Sequence, residues 1–142
     1  MNETYLADFN LWISQTIELL REQRWHEIDV THLIQEVEDL GKRERRGIAS
    51  QLTRLLLHLL KWEYQPQRRS DSWLDSITDA RTQIELALED SPSLKSYPAA
   101  QLEACYQRAR SQAAKQTSRE ISSFPAVCPY PLEQVLSEDW LP

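Results

Sequence analysis

The stretch from Gln51 to Trp73, QLTRLLLHLLKWEYQPQRRSDSW, constrains the fold more than any other part of the chain. A strongly apolar helical run carries one histidine, His58, and gives way to Trp62. Pro66 stops it, and the chain passes straight into Arg68 and Arg69. The densest core-forming segment and the least ordinary polar residues share one region. A functional site is expected there.

The rest of the sequence has the same helical character. Apolar residues Tyr5, Phe9, Trp12, Ile13, Thr16, Ile17 and Leu20 recur at three- and four-residue spacing, which predicts a first helix from about Thr4 to about Arg24. Trp25 to Ile28 makes a corner. Asp29 or Thr31 then caps a second helix, whose buried face is Leu33, Ile34, Val37 and Leu40. Gly41, with basic residues crowded after it, reads as a break or kink at a helix C-terminus. A third helix follows to about Tyr64, with Ile48, Leu52, Leu55, Leu56, Leu59 and Leu60 inward, and Pro66 forbids its continuation.

Ser70 or Ser72 caps a fourth helix, striped by Trp73, Ile77, Ala80, Ile84, Ala87 and Leu88. Pro98 suits the start of a fifth, with Leu102, Cys105, Tyr106, Ala109 and Ala113 inward. From residue 122 the pattern changes. Three prolines within Phe124–Pro131 force an extended backbone too apolar to be a free linker. Residues 122–142 are therefore expected to form a strap pinned by Phe124, Tyr130 and Trp140, with a short turn at Leu132–Leu136.

Only two glycines occur, strand-like β-branched runs are missing, and good helix formers dominate. The expected fold is all-α: a single helical domain over residues 1–142, a bundle of about five helices with an extended Pro-rich C-terminal strap. No signal peptide is expected, because the start lacks basic residues and an apolar segment, and no apolar run is long enough for a bilayer. Cys105 and Cys128 are lone thiols without CxxC spacing, expected to be reduced. A cytoplasmic protein without membrane contact follows from these features.

Charge is unevenly distributed. Residues 1–41 carry nine acids and two bases, residues 42–69 eight bases and two acids, and residues 70–142 eleven acids and six bases. The net charge of −6 argues against broad nucleic-acid binding. The basic middle is expected to pair with its acidic flanks rather than to form an anion-binding strip.

Several segments are specific enough to carry a resemblance: HLLKWEYQPQRRSDSW at 58–73, LIQEVEDLGKRERR at 33–46, LEDSPSL at 88–94, the terminal FPAVCPYPLEQVLSEDWLP and the YLADFNLW start. Over nearly the whole chain the sequence resembles the bacterial domain-of-unknown-function family numbered twenty-nine, abundant in cyanobacteria. The resemblance implies an all-helical bundle and a cyanobacterial-type origin. It implies no activity.

Candidate chemistry centres on Glu36, His58, Trp62, Arg68 and Arg69. A histidine within a leucine-rich run needs a polar partner. Two arginines ahead of a helix start, where the dipole disfavours cations, need an anion, either a carboxylate such as Glu36 or Glu38 or a bound phosphate or carboxylate. With the second and third helices antiparallel, Glu36 could reach His58 and the arginines. His32, Glu36 and Asp39 share a helix face and could hold a divalent metal with His58, but Glu-x-x-His and HExxH patterns are missing, so no metal and no cofactor is assigned. The expected function is that of a helical module binding a protein partner or an anionic ligand. The alternative is a small hydrolase-like enzyme, with or without a metal, using Glu36, His58 and Arg68 or Arg69.

Overall fold

A computed structural model describes residues 2–142. Among the described residues the chain is 79% helical and contains no strand, the all-α fold that the apolar periodicity requires. Six helices follow in order: α1 (Asn2–Ala7), α2 (Phe9–Arg21), α3 (Val30–Tyr64), α4 (Asp71–Asp90), α5 (Tyr97–Thr117) and α6 (Leu132–Leu136). None of the helices is long and apolar enough to cross a membrane. The chain divides into two compact units, Met1–Arg43 and Glu44–Pro142, with α3 passing from one into the other.

Two of the expected helix boundaries are corrected. The first helix is split at Asp8, which adopts a non-helical conformation and caps α2 by accepting a hydrogen bond from the Leu11 amide at 3.0 Å. A short polar side chain outside the helix thus satisfies an N–H that would otherwise lack a partner. The break expected at Gly41 is missing, and the second and third helices are one, α3. No glycine has the positive φ that a helix-ending C′ position needs. Glu38 and Asp39 also precede Lys42 and Arg43 by four residues, a charge order that favours continuing through the glycine. Asp29, rather than Thr31, caps α3: its carboxylate accepts from the His32 amide at 3.3 Å and pairs with the His32 ring at 2.6 Å.

In the N-terminal unit an aromatic cluster gathers at one end of α2 and α3. Tyr5 stacks on His32 with ring centroids 3.9 Å apart and meets Phe9 and Trp12 edge-on. Trp12, Thr16 and Ile28 are buried. The remainder of the stripe is not. Ile34, Val37 and Leu40, expected to be a buried face, are 53%, 59% and 60% exposed, and Phe9, Ile13, Ile17 and Leu20 are exposed as well. The periodicity is helical as expected, but this unit has no layer to cover it.

The C-terminal unit has a continuous core. Leu52, Leu55, Leu56, Leu59 and Leu60 of α3 pack with Ile77, Ala80 and Ile84 of α4 and with Cys105, Tyr106, Ala109 and Ala113 of α5. Ser70, not Ser72, caps α4 by accepting from the Trp73 amide. Beyond α5 the strap completes the core with Phe124, Tyr130 and Val135, while Trp140 packs half-buried against Tyr130. The Tyr106 hydroxyl donates to the Pro125 carbonyl at 2.6 Å.

Candidate functional site

Each residue expected to form the polar cluster has a partner or a place of its own, and the partners differ from those expected. Glu36, on α3 in the N-terminal unit, accepts from the Tyr5 hydroxyl at 2.6 Å. His58, further along the same helix, is half-buried and bonds through Nδ1 to the Arg54 carbonyl one turn earlier at 2.8 Å. A carbonyl only accepts, so Nδ1 carries the proton and donates, which leaves Nε2 as an acceptor. Burial, with the nearby Lys61 and Arg54 charges, holds the imidazole below its ordinary value and keeps it neutral. The leucine-rich run satisfies its histidine with its own backbone, a solution invisible to a search for carboxylate partners.

Of the two arginines ahead of α4, Arg69 is held by the end of α3 rather than by a carboxylate. Arg69 Nε donates to the Trp62 carbonyl at 2.8 Å, and its guanidinium lies 4.8 Å from the centre of the Trp62 ring. The last carbonyls of a helix lack intrahelical partners and carry its negative dipole end, so they can accept a cationic donor in place of a side-chain anion. Trp62 and Arg69 are therefore brought together as a clasp on the α3 C-terminus. Arg68 is exposed in the 3₁₀ turn Pro66–Arg68. Glu36 belongs to the N-terminal unit and His58 to the C-terminal unit, each with the partner given above. Among the described residues no group of three or more histidine, cysteine or acidic side chains is spaced to hold a metal ion.

Two other features are concavities, one in each unit. The first is a groove of about 250 Å³ in the N-terminal unit, between Phe9, Ile13, Ile17 and Leu20 of α2 and Leu33, Val37 and Leu40 of α3. Its walls are almost wholly apolar, with Glu36 and Arg43 as its charged residues. The same stripes stand out in the sequence, but periodicity does not reveal whether a stripe is covered. The second is a more polar cleft of about 450 Å³ in the C-terminal unit, between α3 and α5, edged by Arg46, Arg54 and Arg108.

Arg81 is a further polar residue that apolar periodicity passes over. It lies buried on α4, and its guanidinium donates to the carbonyls of Val135 at 2.9 Å, Glu138 at 3.3 Å and Trp140 at 2.7 Å. It anchors the end of the strap through backbone groups alone. Its position on the same stripe as Ile77, Ala80 and Ile84 is the available signal, since an arginine on a buried face must find acceptors there. Tyr130 adds a second tether, donating from its hydroxyl to Glu63 at 2.9 Å.

Neither the curated proteins nor the solved structures include one that matches this chain. A family model does match, described as domain of unknown function DUF29, and it covers residues 4–141, so the chain belongs to that family.

Proposed function

We propose that the chain is a binding module whose N-terminal unit receives an amphipathic helix of a protein partner in the groove between α2 and α3. The observation that carries this reading is the exposure of the groove walls. Val37 and Leu40 are 59% and 60% exposed although they continue a stripe of regular helical period. Single exposed apolar residues are ordinary, but a contiguous patch on two adjacent helices marks an interaction surface. Helix-in-groove recognition uses anchors at i, i+3, i+4 and i+7, the spacing that such walls complement.

The charge of the unit selects the occupant. Residues 1–43 hold nine acids and four bases, and Arg24 is already neutralised by Glu22 and Glu27, at 2.9 and 2.5 Å. A second copy of the same acidic unit would meet like charge, whereas a helix with a basic polar face would be attracted and oriented. Cys105 and Cys128 are both free thiols, which supports the cytoplasmic location expected for such a module.

The hydrolase-like alternative requires Glu36, His58 and Arg68 or Arg69 to act on one substrate. Glu36, His58 and Arg69 are each committed to another partner. These commitments favour the binding reading.

Calorimetric titration of the full chain with a synthetic leucine–lysine amphipathic peptide of about 18 residues, or five helical turns, tests it. Saturable binding is expected, at least about tenfold weaker for the matching leucine–glutamate peptide and weakened to a similar degree by Val37→Ser with Leu40→Ser. Equal affinity for the two peptides would sink the proposal. So would a concentration-dependent dimer in sedimentation that the double variant dissolves, which would assign the groove to a second copy.

A further inference from the structure

The cleft between α3 and α5 is chemically unlike the groove. Arg46, Ser50 and Arg54 follow one another at four-residue spacing and so line one edge of α3. Arg108 and Gln112, also four apart, face them from α5, while Thr53 and Leu57 form a buried floor. Three guanidiniums thus border one concavity of about 450 Å³, within the range of small-molecule sites.

The charges are not balanced from within. Arg54 donates to Asp79 at 2.7 Å. Among the described residues Arg46 and Arg108 form no ion pair. Arg108 has only the Cys105 sulfur, 3.3 Å from Nη2, and a thiol is a weak acceptor that leaves the remaining N–H groups of the fork free. The cleft therefore holds an excess of two positive charges beside hydroxyl and amide donors. Three like charges around one cavity repel one another, so the arrangement is stabilised by an anion carrying two or more negative charges.

We infer that this cleft is a binding site for a small phosphoryl anion, held by Arg46 and Arg108 with Arg54 as a third contact. Arginine forks match phosphoryl oxygens in pairs, and a phosphoryl group supplies the required charge within one small group. The site lies wholly in the C-terminal unit and is distinct from Arg68 and Arg69, where the sequence suggested an anion. It does not depend on the helix-binding groove, so either can fail alone.

Calorimetric titration of the full chain with inorganic pyrophosphate at low ionic strength tests the site. One saturable site is expected, with inorganic phosphate binding more weakly by about tenfold, as its smaller charge requires. Arg46→Gln with Arg108→Gln should weaken pyrophosphate by at least about tenfold, the loss of charge-assisted hydrogen bonds. Lys95→Gln with Arg119→Gln, which removes the same charge from positions outside the cleft, should leave it within about twofold. Both pairs are exposed, and circular dichroism is expected to show unchanged helicity. The absence of saturable binding, an equal loss in the two double variants, or tighter binding of citrate than of pyrophosphate would each overturn the assignment.

Discussion

The two units are built from helices with comparably regular apolar stripes, yet the stripes meet different fates. In the C-terminal unit Leu52, Leu55, Leu56, Leu59 and Leu60 are wholly buried, because α4, α5 and the strap supply three further surfaces around α3. In the N-terminal unit, α2 and the first part of α3 are two helices with a short α1, and two helices cannot enclose a core. Trp12 and Thr16 are buried, but Ile34, Val37 and Leu40 are left in solvent. An amphipathic pattern therefore specifies a face that seeks burial, and the number of neighbouring layers decides whether the chain itself provides it. Where it does, the residues stabilise the fold; where it does not, they are available to a partner.

Removal of residues 122–142 tests the closed half of this comparison most severely. It would uncover the core and delete Phe124, Tyr130 and Val135, each buried and each contributing on the order of 2 kcal/mol. The total of about 6 kcal/mol is comparable to the whole stability of a small domain, so the truncated chain should lose its cooperative thermal transition. An unchanged melting temperature would mean that the strap adds nothing to the core. Arg81→Met probes the same element more gently. It leaves three carbonyls without their donor and should cost about 2–4 kcal/mol in chemical denaturation.

A direct contrast comes from matched truncations in the two units. Leu56→Ala, at a fully buried site, should destabilise by about 2–5 kcal/mol. Leu40→Ala, at a site 60% exposed, should stay within about 0.5 kcal/mol. Denaturant midpoints distinguish them, and a large cost at Leu40 would show that the groove wall is covered in solution.

The same contrast separates what is legible in the sequence from what is not. The stripes of α4 and α5, a serine cap ahead of α4 and the apolar anchors of the strap all follow from local spacing and turn chemistry, which act within a few residues. The partners of Glu36, His58 and Arg69 depart from expectation for one common reason. Matching polar residues to opposite charges overlooks that the chain satisfies two of them with backbone carbonyls, of Arg54 and Trp62, and the third with a tyrosine hydroxyl. Backbone acceptors are present at every position and leave no signature in the sequence. The acceptors of Arg81 are hidden on the same ground, since all of them are carbonyls of the strap. The arginine cleft needs α5 beside α3, a proximity that no local pattern encodes.

His58 gives a smaller effect with a defined sign. Burial lowers its folded value below the ordinary 6.5, so the unfolded chain binds the proton first as pH falls. Stability should therefore be constant above about 6.5, decline below it, and stop declining from this source once the lowered folded value is passed. His58→Gln should remove that component of the pH profile and leave the acid limb set by carboxylates. One of these is Asp29, held below its ordinary value chiefly by its hydrogen bond to His32, whose contribution is lost only as pH falls through the depressed value. A profile identical in the His58→Gln variant would mean that the imidazole is solvated rather than buried.

The smallest expected effect bears on the one element that the two regions share. Gly47 lies inside α3, just beyond the boundary at Arg43, in a helix whose sequence suggests an interruption nearby at Gly41. Its φ is not positive, and a Cβ added there would meet nothing within 4 Å. No steric term then opposes the gain from restricting the unfolded chain, so Gly47→Ala should stabilise by about 0.5–1 kcal/mol. The gain should show as a small rise in denaturant midpoint without a change in slope, since the buried surface is the same. The opposite sign would be informative, because alanine is unfavourable there only if the glycine leaves the helical region. A destabilised Gly47→Ala variant would mean that α3 is broken in solution, and that the exposed stripe and the buried one belong to separate helices after all.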